Sequence, residues 1–381
     1  MDLKRIFLKD ACPTSIGGQA IMEGIMMRGP KRTAIAIRLP DGKIHMKTQP
    51  TPQGSKWGKI PLLRGAINFF VSLIYGTKVL MYSAEILEKY YPEDYQKDKF
   101  DIWVEEHLGR EKAWNILLIL SVVLALIMSI GIFMVLPTAV VGWCAALTSN
   151  ILVLNLIEGI VRILIFVLYI LLISRMKDIK TVFQYHGAEH KTIHCFENGL
   201  ELTPENAQTF YTLHPRCGTS FLMFVMVIAI LVHVFMGWPN VWVRVLSRIL
   251  VLPIIAGLSY ELLKWAGRSD NIVVEILSLP GLYLQKLTTA EPNFKQLEVA
   301  IASVKAVLND GEDVPYFEGI CDLEGKPVEG EAEFYDPAVS DGPIKTQEEK
   351  EEKEINESIG KRVDKNCGKT ACGCRRCRCT N

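Results

Sequence analysis

Three histidines recur at i, i+4 and i+8 in the run YHGAEHKTIHCFE, as His186, His190 and His194. On a helix these positions step by about 40° each, so the imidazoles line one stripe. Within the stripe, His186-Gly-Ala-Glu189-His190 reads H-x-x-E-H. Two histidines one turn apart can bind a single zinc ion, and a glutamate beside them can take a proton from water on that metal. The spacing points to a divalent transition metal, zinc by ligand type, with Glu189 as general base in hydrolysis of an amide or ester. His186 and His190 are the first ligands on this reading. His194, His214 and Cys217 (in HPRCGTSF) and Glu261 (in LSYELLKW) compete for the rest. Inverted zinc peptidases take a downstream glutamate as third ligand. Four protein ligands would close the tetrahedron and make the site structural, not catalytic. The plain alternative is a solvated or headgroup-binding histidine face, with His214 and Cys217 capping or packing the next helix.

Long apolar runs must position these groups. From Ala113 to Ile157 there is no charged side chain, and Asn115 to Leu136 is long enough as a helix to cross about 30 Å of hydrocarbon. Pro137 is expected to end it. Ile151 to Ser174, Thr219 to Trp238 and Val241 to Trp265 supply three more expected spans. Leu62 to Tyr82 carries Arg64 and Lys78, so an interfacial or re-entrant helix is expected there. Basic residues before the first span and in the 175–218 loop, against none in 137–150, place both termini and that loop in the cytosol. Residues 186–217 and Glu261 then converge at one membrane depth. Glu158 lies i,i+4 from Arg162 and can pair there, or across helices with Arg244 or Arg248.

The formal charge is zero, 42 bases against 42 acids, and the mean hydropathy is +0.20. That hydropathy disfavours a purely soluble or disordered chain. The balance hides an asymmetry: residues 309–366 hold 18 acids and 7 bases, the last fifteen hold 4 bases, and residues 1–308 are net +7. A mildly basic body suits an anionic membrane leaflet, and no nucleic-acid-binding signature is present. The first twenty residues lack the apolar core of a cleavable signal peptide. The scattered cysteines form no secreted framework.

AIAIRLPDGKIHMKT alternates on both sides of Asp41-Gly42, a hairpin signal. The glycine-rich SIGGQAIMEGIMMRGP reads as a plain loop that folds back toward the histidines. Ile272 to Leu287 reads as an amphipathic helix broken at Pro280-Gly281, and Phe294 to Leu308 as a regular one. Cys372, Cys374, Cys377 and Cys379 could bind a soft metal as thiolates or be incidental.

Taken together, GGQAIMEGIMMRGP, FQYHGAEHKTIHCFE, HPRCGTSF, LSYELL and TTAEPNFKQLEVAIA resemble, in order and spacing, the YqhQ-like family of conserved bacterial integral membrane proteins. The resemblance covers roughly residues 11 to 308. It implies a domain of unknown function, described at most as a predicted metal-dependent enzyme. The family pattern matches Glu23, Arg28, His186, Glu189, His190, His214, Cys217, Glu261 and Glu291.

The expected fold is mainly α: a polytopic bundle of about four transmembrane helices, a small cytosolic N-terminal β-hairpin and a disordered C-terminal tail. The expected division is 1–112 (cytosolic region), 113–308 (bundle with the His/Cys loop), 309–366 (acidic disordered linker) and 367–381 (Cys-rich tail). The expected function is a multi-pass plasma-membrane, metal-dependent hydrolase acting on a membrane-proximal peptide or lipid. A metal-handling transporter with a polar path through Glu158, Arg162, Arg244 and Arg248, or a scaffold with a structural metal, is the alternative.

Overall fold

The structure is a computed structural model, and the residues it describes are 14–52, 60–90, 110–144, 148, 150–237, 240–266, 272–309 and 314–337. In chain order the elements are β1 (Gly17–Ile21), β2 (Gly24–Arg28), β3 (Arg32–Arg38), β4 (Ile44–Pro50), α1 (Leu63–Tyr90), α2 (Arg110–Ile130), a π-helical turn (Gly131–Val135) and α3 (Leu136–Cys144). There follow α4 (Ile151–Ile173), α5 (Lys177–Glu197), α6 (Pro204–Gln208), α7 (Gly218–Val234), α8 (Val241–Ala266), α9 (Ile272–Thr288), α10 (Phe294–Leu308), β5 (Tyr316–Cys321) and β6 (Pro327–Tyr335). Two compact units result, one from Met1–Gln53, Thr181–His214 and Thr289–Asn381, the other from Gly54–Lys180 and Pro215–Thr288. They do not follow the four consecutive segments expected from composition, because the first unit gathers three stretches far apart in sequence.

The first unit is built on an antiparallel sheet of six strands in the order β1-β2-β3-β4-β5-β6. The expected hairpin is its β3–β4 pair, closed from Arg38 to Ile44 with Gly42 at φ 87°. The glycine-rich stretch is not a plain loop: it forms β1 and β2, in register from Gly17 opposite Arg28 to Ile21 opposite Gly24. Glycines on both strands and a turn at Glu23 with φ 47° hide the strand pattern. The expected disordered linker is also corrected, since β5 pairs with β4 and β6 with β5. A segment too polar to fold alone is ordered here by adding backbone hydrogen bonds to an existing edge. It also buries Phe317 and Cys321. Residues 338–381, including the rest of the linker and the Cys-rich tail, lie outside the described residues.

One face of the sheet presents Ile25 and Met27, Ala34 and Ala36, and Ile44 and Met46. The small alanines of β3 leave a trough between bulkier neighbours. Helix α10 packs against β2 and β3 there with its own small residues Ala300, Ala302 and Ala306 buried. Asn293 and Gln296 close its N-terminus with a capping box. Phe294 to Leu308 is the regular helix expected.

The second unit is helical. Among the described residues, four helices, Leu63–Tyr90, Ile119–Trp143, Ile151–Ile173 and Trp242–Trp265, are long and apolar enough to cross a membrane. Their membership departs from expectation. The 62–82 segment extends to Tyr90 as α1, and its Arg64 is neutralised by Glu261 of α8, with Nε donating to Oε1 at 2.6 Å. Helix α7 is apolar but has only 17 residues, against the span expected from Thr219 to Trp238.

Pro137 does not end the first long helix. A proline there removes the N–H that would bond the carbonyl four residues back, at Phe133. The helix widens into the π turn at that place, and Arg162 Nε donates to the Phe133 carbonyl at 3.1 Å. Pro280 likewise leaves α9 continuous from Ile272 to Thr288, not broken.

Arg162 also donates to Glu158 at 3.1 Å, and Arg248 holds both oxygens of that carboxylate, one at 2.7 Å. The local and the cross-helix pairs of Glu158 therefore coexist. Thr138 Oγ1 donates to Glu158 at 2.9 Å, and His233 is a hydrogen-bonded interior residue against Arg162. Apolar side chains of this unit point outward: Leu164 is 63% exposed, Leu250 69%, and Trp143, Phe235 and Trp242 at helix ends exceed 79%.

Candidate metal centre

Helix α5 divides its faces by chemistry. Tyr185, Ala188, Ile193 and Cys195 enter the core of the sheet unit. The histidines line a second face, where the 209–214 segment runs beside them. His190 Nδ1 meets the Thr212 carbonyl at 2.5 Å, and His194 Nε2 meets the Leu213 carbonyl at 2.9 Å. A carbonyl only accepts, so each of those ring nitrogens carries the proton. The neutral rings then offer the opposite nitrogen as a lone pair, Nε2 in His190 and Nδ1 in His194. Metal-binding histidines are oriented in this way by backbone acceptors.

His194, Glu197 and His214 each bring one donor atom to within 4.8 Å of the others, and all three are buried. The rings of His194 and His214 are 4.6 Å apart, and His214 Nε2 stands 3.5 Å from Glu197 Oε2. Burial, then the neighbouring His214, pushes the His194 imidazolium pKa down to about 3, so the ring is neutral at pH 7. Two imidazoles and one carboxylate form the donor set of open zinc sites, and a dication is the natural balance for a buried carboxylate. The residues present therefore fit a divalent transition metal.

The segment leading into β1 sets the carboxylates. Thr14 N–H donates to Glu197 Oε1 at 2.9 Å and Gly18 N–H to Glu189 Oε1 at 2.8 Å. The two contacts are four residues apart on this segment and eight apart on α5, where eight residues rise about 12 Å. The expected fold-back of this segment onto the histidine helix is thereby observed. A Cβ at Gly18 would lie 2.9 Å from the Glu189 carboxyl carbon and 2.8 Å from the Met26 carbonyl oxygen, which is why the approach needs glycine. At Gly187 a Cβ would lie 2.1 Å from the Ala290 carbonyl oxygen. The TTAEPN turn is thus packed directly on α5. Lys191 locks it, donating to Glu291 Oε1 at 2.5 Å and to the Gln208 carbonyl at 2.8 Å.

Of the residues singled out in the sequence, His186, Glu189, His190, His194 and His214 all belong to the sheet unit. His186 is half-buried, its ring edge-on to His190 at 4.5 Å between centroids. Glu189 stands apart from the group of His194, Glu197 and His214. Cys217 belongs to the helical unit, where it is the N-cap of α7 and its sulfur accepts from Thr219 N–H at 3.4 Å. Glu261 belongs there too, and its carboxylate pairs with Arg64. The α1 helix supplies this cation, a partner that the sequence left unassigned. Arg28 donates to the Pro52 carbonyl at 2.8 Å. Glu197 lies outside the H-x-x-E-H pattern, although it is i+3 from His194 and so repeats the step from His186 to Glu189.

Residues 60–310 match DUF1385, a family described as a protein of unknown function. The uncharacterized protein YqhQ of Bacillus subtilis (strain 168) is 36% identical over 310 residues, which is 79% of this chain and 94% of that protein. No solved structure matches.

Proposed function

The chain belongs to the DUF1385 family of proteins of unknown function, and on that premise we propose that it is an integral membrane, metal-dependent hydrolase. Its helical unit spans the bilayer, and its sheet unit acts at the cytoplasmic face on an amide or ester of a membrane-proximal peptide or lipid. Four helices of sufficient length and apolarity support the membrane part, as do outward Leu164 and Leu250 and the aromatic side chains at helix ends. The basic residues flanking those helices support the orientation.

The observation that carries the metal reading is the buried meeting of His194, Glu197 and His214. These three residues would hold the ion, with His194 presenting Nδ1. A divalent transition metal, zinc by donor type, would supply Lewis acidity toward a carbonyl and toward water. Leu213 and Thr14 fix the orientation of two of the ligands through their backbone groups. Glu189, whose Oε1 accepts from the Gly18 amide, neighbours His190 in the chain and not these three ligands, so the proton it would accept is that of water at the His186–His190 end of the helix. A second reading, a metal that only braces the fold, is favoured by the depth of the three ligands, all nine-tenths or more buried.

The test is metal analysis of the full chain purified in detergent with its five terminal cysteines changed to serine, beside His194→Ala/His214→Ala. Bound zinc or a similar metal, lost in the variant, is expected. Folded protein without metal contradicts the proposal. Glu189→Gln then separates the readings: retained metal with lost function in cells supports catalysis, and retained metal with full function supports the brace.

A further inference from the structure

We infer that the histidine face of α5 binds two transition-metal ions side by side, the second held by His186 and His190. The inference rests on the metal reading above and extends it from one ion to two. Four imidazoles form a row in the sheet unit: His186 to His190 at 4.5 Å between ring centroids, His190 to His214 at 5.7 Å, and His214 to His194 at 4.6 Å. The far pair shares Glu197 and already makes a three-donor group. His190 lies outside that group, yet its ring is set as a ligand's is. Its Nδ1 proton goes to the Thr212 carbonyl, so Nε2 carries a lone pair.

That Nε2 is buried in a residue only 1% exposed, and it has no hydrogen-bond partner among the described residues. A buried acceptor left unmatched is costly, and a cation is what an unprotonated imidazole nitrogen binds. His186, one turn earlier on the same helix, brings a second imidazole to that side and is half-buried, which leaves the position reachable from solvent. The two sites differ in charge. The group of His194, Glu197 and His214 includes a carboxylate, whereas His186 and His190 supply only neutral donors, so the first fills before the second.

The experiment is stoichiometry on the full chain with serine at the five terminal cysteine positions. The protein is stripped with a chelator and titrated with Co(II), followed by bound metal per chain and by the visible absorption of the cobalt. The expected result is two ions in two steps. His186→Gln, a substitution at a half-buried position, should bind one ion and keep the tighter step; His190→Asn should do the same. His194→Ala should lose the tighter step. One ion in the unaltered protein, kept in His186→Gln and lost in His194→Ala, overturns the second site and leaves the single-metal reading standing. No metal in folded protein overturns both.

Discussion

At the residue scale, the site depends on backbone approaching side chain, and glycine is where this is sharpest. Gly17 and Gly18 are neighbours on β1, but a Cβ at Gly17 meets nothing within 4 Å, whereas one at Gly18 strikes the Glu189 carboxyl group and the Met26 carbonyl. Gly18→Ala should therefore cost about 1–3 kcal/mol and Gly17→Ala far less, a contrast that thermal or denaturant unfolding in detergent would check. Equal effects would contradict the packing described. The histidine stripe was legible from its period alone, because i, i+4, i+8 needs only a helix. Which nitrogen each ring offers was not, since it depends on Thr212 and Leu213 arriving from a separate segment. Glu197 was hidden for the same reason: its meaning comes from His214, distant in sequence.

At the element scale, β5 and β6 are the main departure from what composition suggests. Their acids point outward on an edge while Phe317 and Cys321 point in. Burial, then Asp322, pushes the Cys321 thiol up from 9.0 to about 12. A folded-state pKa above the unfolded one contributes stability that is full below about pH 9 and lost as pH rises through about 12. At pH 8 the folded protein should thus resist iodoacetamide at Cys321 and react there only on unfolding, as mass spectrometry of that peptide would show. Rapid labelling in the folded state would mean that the strands are not paired.

Within the helical unit, Glu158 is 1% exposed and serves Arg248, Arg162 and Thr138 together. Glu158→Leu should destabilise by roughly 3–5 kcal/mol, the usual effect of leaving a buried partner charge unmatched. Loss of the folded fraction in a detergent thermal melt is the readout, and an unchanged melt would contradict it. At Pro137 the rule that proline stops a helix gives way, because another donor, Arg162, satisfies the freed carbonyl.

At the whole-molecule scale, the chain interleaves its two units: β4 ends at Pro50 and its sheet neighbour β5 starts at Tyr316, with every helix of the described residues between. Reading in sequence order found the helices and the hairpin, because each is a local pattern, and missed the sheet, because strand pairing across that gap has no local signature. On the proposed membrane reading, carbonate-washed membranes should retain the chain, and its release into the wash would contradict that seat. The central claim is the metal at His194, Glu197 and His214. The most direct measurement is an anomalous difference map at the zinc edge from crystals of the full chain. A peak about 2.0–2.2 Å from the donor atoms of all three residues is predicted. Protein that carries zinc elsewhere, with no peak there, would contradict the account.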